Sequence, residues 1–196
     1  MGWSAHHKMA SRQTIVLAAA ELFATYGYDA VAIDQVMSHA GKTRGAFYAH
    51  FESKSDLYAQ AMLMAGQRLV AHSREHALNF ADFVRIYLTP GQQGILTLGP
   101  LGSAPLKCPL ACLVTDMAMR EERLKKVYEQ LFAGFVGHLQ RLNPQLTQAR
   151  AEACASSLIG AQVVSRAVAS QELAKTILVS AQKSILEQFA DDKNKA

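Results

Sequence analysis

Between Ala32 and Leu57 the chain reads AIDQVMSHAGKTRGAFYAHFESKSDL, and no other stretch restricts its folding so narrowly. Ile33, Val36 and Met37 share one helical face, which predicts a helix over about Ile33–Ala40. Gly41 then supplies a tight turn, because without a Cβ it tolerates positive φ. A second short helix is expected over Thr43–His50, with Thr43 placed to cap it. A long helix starts near Ser53 and carries Leu57, Tyr58, Ala61, Met62, Ala65 and Leu69. Ile33, Val36, Ala40, Ala46, Phe47 and Phe51 would pack inward and set the angle between the two short helices. Lys42, Thr43, Arg44, Tyr48, His50 and Lys54 are thereby gathered on one surface.

Two helices joined by a glycine turn are the arrangement that delivers the second helix into the DNA major groove. Thr43 and Arg44, at the exposed start of that helix, are the candidates for base edges, since arginine can bond both O6 and N7 of guanine. Gly45 has no side chain to hold the backbone away from DNA. Tyr48, His50 and Lys54 are placed for phosphates, as is Lys42, and the backbone N–H groups at the start of the next helix can bind another. Charge alone would not have suggested this. The chain carries a net +4, but up to Tyr58 the cations Lys8, Arg12, Lys42, Arg44 and Lys54 are balanced by Glu21, Asp29, Asp34, Glu52 and Asp56. Any basic face must come from placement.

The remaining periodic segments are also helical, and no run alternates long enough for a strand, so an all-α fold is expected. Ser11 caps a first helix through Ile15, Ala19, Leu22, Phe23 and Tyr26 that stops at Gly27. A further helix is expected over Asn79–Leu88. Thr89–Lys107, with four glycines and three prolines, reads as a loop or a loop with one short turn of helix. Helices follow over Pro109–Met119, Glu122–Leu142, Thr147–Val168 and Gln171–Phe189, with Asn143-Pro144 ending the second of these. Residues 1–10 read as a disordered arm or a remnant of cloning, 11–56 as the helix-turn-helix domain, and 57–196 as a domain for ligand binding and dimerisation.

The segment from Gly41 to Leu57, with FYAHFESKSDL at its centre, resembles the TetR family of bacterial transcriptional repressors. The resemblance is strong over about Arg12–Tyr58, where Tyr48, His50, Phe51 and Lys54 match the family pattern and Gly45 matches the small residue usual there. Arg44 departs from the lysine or smaller polar residue that many members carry, which bears on operator choice. The resemblance implies an all-helical subunit, a homodimer on double-stranded palindromic operator DNA, and a pocket for a small-molecule inducer in the larger C-terminal domain.

For the dimer, the last two helices are the expected interface: Gly160 permits close crossing, with Leu158, Val164, Ile177, Leu178, Ile185 and Phe189 as apolar area. For the effector, Phe83, Tyr87, Leu96, Leu113, Met117, Phe132 and Phe135 would form an apolar lining, with Thr115 and Asp116 orienting a ligand of apolar or aromatic character. Cys108 and Cys112 lie one helical turn apart beside Lys107. A thiolate stabilised at Cys108 would make it a redox or electrophile sensor, whereas the plainer reading makes both cysteines packing. Two cysteines without a histidine pair fall short of a zinc site, so no metal and no cofactor are expected. A thiol enzyme using Cys108 with His138 lacks an evident orienting carboxylate, and no enzymatic activity is expected. Three cysteines suit a reducing compartment, and no apolar run reaches the ~18–20 residues of a membrane span. The sequence therefore reads as cytoplasmic, with no membrane partner.

Overall fold

The computed structural model describes residues 2–76, 78–90, 108–117 and 120–189, with side chains from residue 6 onward except at 115 and 116. Every regular element among them is a helix: α1 (Gly2–Ala30), α2 (Ile33–His39), α3 (Arg44–Tyr48), α4 (Lys54–Glu75), α5 (Phe80–Tyr87), α6 (Pro109–Met117), α7 (Glu122–Leu142), α8 (Gln148–Ala167) and α9 (Gln171–Phe189). The all-α class is as expected. Residues 91–107, most of the expected loop, lie outside the described residues.

Local chemistry accounts for most boundaries. Gly27, at φ 77° and ψ 174°, breaks α1 where the sequence ends it. Residues 2–10 differ from the expected disordered arm and continue α1 as helix. His6–Ala10 are exposed, so this extension depends on continuity with the buried turns that follow rather than on packing. Gly41, at φ 63°, makes the turn between α2 and α3. Ser53 Oγ accepts from the Asp56 N–H at 3.0 Å while Asp56 accepts from the Glu52 N–H, which fixes the start of α4. Asn79 caps α5 through the Asp82 N–H at 2.8 Å, and Thr147 caps α8 through Arg150.

The chain divides into two compact units, residues 1–65 with 97–128 and residues 66–96 with 129–196. This differs from the expected division after residue 56, because α6 packs along α1 and belongs with the N-terminal helices. Ile15, Ala19, Phe23, Val36, Met37, Phe47, Phe51, Leu57, Tyr58 and Met62 form the core of the first unit. The rings of Phe23 and Tyr28 meet Tyr58 edge-on, at 4.9 and 4.8 Å between centroids. Arg120, just before α7, reinforces this cluster: its guanidinium bonds both carboxylate oxygens of Asp29 and lies 4.5 Å from the Tyr28 ring centre. That contact holds the Asp29 carboxyl below its ordinary pKa. Arg123 reaches Asp56 at 3.2 Å.

In the second unit, Phe80, Phe83 and Val84 of α5, Leu88 at its C-cap, Phe135 and Leu139 of α7, Leu158 of α8 and Leu178 and Ile185 of α9 are all buried and make up the core. Asn143, buried, donates to the carbonyl of Phe189 at 2.8 Å and ties the end of α7 to the end of α9. One polar group stands out in this core. His138 is 1% exposed, and burial, with Arg141 and Arg74 adding to it, lowers its pKa to about 4. Because the folded value lies below the unfolded one, the unfolded chain takes up a proton first as pH falls below ~6.5. Stability should therefore drop between about pH 6.5 and 4, by roughly 2–3 kcal/mol from this group, and stay flat above. Urea unfolding across that range should lose the corresponding slope in His138→Leu; an unchanged slope would assign the effect elsewhere.

Candidate nucleic-acid interface

Five residues of α3 divide between two tasks. Phe47 is fully buried, meeting Phe51 at 5.6 Å, and anchors α3 to the core. Arg44, Gly45 and Tyr48 face solvent, with Tyr48 63% exposed, and Thr43, also exposed, holds the N-cap position without the side-chain cap hydrogen bond that the sequence leads one to expect. A Cβ at Gly45 would meet nothing within 4 Å, so an approaching surface would find the backbone open there. Arg44 donates to Asp34 of α2 at 2.8 Å. Both side chains are more than half exposed, so the pair is worth little and can be exchanged for another acceptor. Thr43, Arg44, Gly45 and Tyr48 are thus all exposed.

Around His50 the structure adds residues that the sequence reading did not place. Burial lowers the His50 pKa, and the positive charges of Lys8, Arg12 and Lys42 lower it further. Lys8 and Arg12 come from α1, more than thirty positions away in sequence, and only the packing of α1 brings their charge to bear on His50. Arg12 is itself held by Gln60 and by the Phe51 ring, 5.5 Å from its centre. Meanwhile Glu21, Asp29, Asp34 and Asp56 are engaged by His39, Arg120, Arg44 and Arg123. Placement, not excess, makes this surface basic.

Lys54, expected at a phosphate, has a partner within the chain. Its ammonium lies 4.3 Å from the centre of the Tyr28 ring, and burial lowers its pKa, with Asp29 acting in the opposite direction. It is engaged in cation–π packing with the end of α1.

The other expected sites are gathered less completely. Phe83, Tyr87 and Phe135 form one aromatic cluster in the second unit, with centroids 5.6 to 6.0 Å apart, and Phe132 is half-buried in the same unit. Leu113 and Met117 are buried in the first unit. Leu96 lies outside the described residues, as do the side chains of Thr115 and Asp116. Of the expected interface, Leu158, Leu178, Ile185 and Phe189 are already buried within the single chain, Ile177 is half-buried, and only Val164 is exposed. Their apolar character fills the core between α8, α9 and their neighbours, which spacing alone could not separate from an outward face. Leu173 and Val179, both 48% exposed, were missed.

Cys108 is 2% exposed, whereas Cys112, one turn on, is half-buried, and burial raises the Cys154 thiol to about 12. A thiol reagent such as DTNB should therefore label Cys112 first, and Cys112→Ser should remove the fast phase. A fast phase that persists in that variant would make Cys108 the reactive thiol.

The fold and this surface together define a helix-turn-helix DNA-binding unit built into an all-helical subunit. Residues 15–61 match the family described as "Bacterial regulatory proteins, tetR family". The Transposon Tn10 TetC protein of Escherichia coli is 43% identical over 56 residues, which cover 26% of this chain and 28% of that protein. The HTH-type transcriptional repressor BepR of Brucella suis is 40% identical over 48 residues, covering 24% and 23%. The HTH-type transcriptional activator FasR of Mycolicibacterium smegmatis is 33% identical over 64 residues, covering 33% and 29%. The matched part thus spans less than a third of each of these relatives. Over nearly the whole chain the fold is like that of a TetR-family regulator from Cytophaga hutchinsonii (TM-score 0.69, 16% identity, 95% of this chain and 98% of that one). It is also like that of the reduced form of E. coli NemR (TM-score 0.64, 17% identity, 89% and 96%).

Proposed function

We propose that the protein is a ligand-responsive repressor that binds a palindromic operator as a homodimer and is released by a small apolar or aromatic effector. The observation that carries the reading is the solvent-facing set Thr43, Arg44, Gly45 and Tyr48 on a helix anchored by buried Phe47. The positive charges beside His50 supply the sequence-independent attraction to phosphates. Among the described residues no helix is long and apolar enough to cross a membrane, in keeping with action on cytoplasmic DNA.

One recognition helix reads few base pairs, and a two-fold dimer places two of them about one turn of DNA apart. Exposed Val164, Leu173 and Val179 on α8 and α9 favour these helices as the dimer face. Beside Val164 runs a strip of small residues, Ala153, Ser157 and Gly160, and a Cβ at Gly160 would meet nothing within 4 Å. That strip leaves room for a helix of a second copy.

The test is selection of duplexes from a random library followed by gel shift. A palindromic consensus bound by a two-fold assembly is expected, and recovery of no preferred sequence would overturn the reading. Val164→Arg combined with Val179→Arg should turn the dimer into a monomer in sedimentation and weaken operator binding by at least about tenfold, since each subunit then reads one half-site. A wild-type protein that sediments as a monomer at micromolar concentration would remove the dimer.

A further inference from the structure

The buried histidine of the second unit invites a functional explanation. Among the described residues neither ring nitrogen of His138 has a hydrogen-bond partner, and neither has Oε1 of Gln162, although these residues are each only 1% exposed. Buried polar atoms in folded proteins are nearly always paired, because an unpaired one forfeits its hydration without compensation. A leucine or phenylalanine at position 138 would fill similar space without that cost.

The two groups adjoin a single cluster. His138 meets Phe83 edge-on at 5.1 Å, and Phe83 is joined through Phe135 to Tyr87. Gln162, on α8, donates its amide to the Tyr87 carbonyl, which leaves its oxygen as an acceptor at that end of the cluster. A neutral imidazole offers one donor and one acceptor. These atoms and the aromatic rings present no formal charge, and the charged groups that act on His138, Arg141 and Arg74, are both positive, so a cation entering among them would lose its hydration without a counter-charge. A hydroxyl both donates and accepts, and complements them.

Building on the ligand-responsive reading above, we propose that His138 and Gln162 are polar contacts of the effector site. The effector is a neutral aromatic or alicyclic molecule that carries a hydroxyl group. Its ring packs against Phe83, Tyr87 and Phe135, and its hydroxyl pairs with the imidazole and the Gln162 carbonyl oxygen.

The test compares 2-naphthol with naphthalene, which differ only in the hydroxyl, by equilibrium fluorescence titration of the full chain. Wild type should bind 2-naphthol at least about tenfold more tightly, the scale of a hydrogen bond made in a buried site. His138→Leu and Gln162→Leu should each bring the ratio close to one while still binding naphthalene. The ligand-free melting temperature of His138→Leu at pH 7 should equal or exceed that of wild type, which shows that the variant folds. A wild-type protein that binds neither probe, or binds both alike, overturns the proposal, as does a preference that survives both substitutions. Gel shift on a selected duplex separates the two readings. Discrimination by these residues without operator release would sink the regulatory reading and leave the polar contacts standing.

Discussion

Arg44→Ala should weaken binding to the preferred operator by about 1–3 kcal/mol and flatten its discrimination among base pairs at one position of each half-site. Thermal unfolding should barely change. Arg44 is on the exposed side of α3 and its partner Asp34 is equally exposed, so the head loses no buried contact. Asp34→Ala supplies the complementary measurement: with its competing acceptor removed, Arg44 should bind DNA as well as before or better. Fluorescence anisotropy with the selected operator and with single-base variants reads both effects. If Arg44→Ala kept the full base preference of wild type, the recognition role would belong to other residues of the helix.

Phe47→Ala should have the larger effect and the opposite character. Phe47 is fully buried and packs against Phe51, and removing such a ring from a core costs about 3–5 kcal/mol. A five-residue helix cannot hold its shape alone, since isolated helices below ~12–15 residues are marginal in water. The variant should melt at a lower temperature and lose specific and non-specific DNA binding together. Non-specific binding that survived in a protein with an unchanged melting curve would mean that α3 is held by something other than this ring. The contrast between neighbours Phe47 and Tyr48 is thus a contrast between holding the helix and using it.

Local signals were the legible ones. Gly41 at positive φ, the Ser53 start of α4, the Asn79 cap and the extent of α7 all follow from one or two residues and their immediate neighbours. The exposed face of α3 was readable for the same reason, since α3 sets its own inside and outside once Phe47 is buried. What escaped depends on distant contacts. Lys8 and Arg12 influence His50 only because α1 folds back beside it. The packing of the Lys54 ammonium against Tyr28 is a contact of the same kind. Periodicity could not tell which apolar face of α8 and α9 closes the monomer core, and it credited Leu158 and Leu178 to the surface. His138 and Gln162 belong to no pattern, and only their burial without partners singles them out.

The interleaved make-up of the first unit bears on how such regulators can be recombined. Residues 1–65 share a core with residues 108–117 and 120–128, and Arg120 joins them through Asp29 and Tyr28. A hybrid made by splicing this DNA reader onto a foreign sensor near residue 60 would leave α6 behind and bare the flank of α1. Transplanting the reader intact requires the recipient to supply its own α6 and an arginine ahead of its α7. The portable module is therefore a pair of segments rather than a continuous stretch of gene.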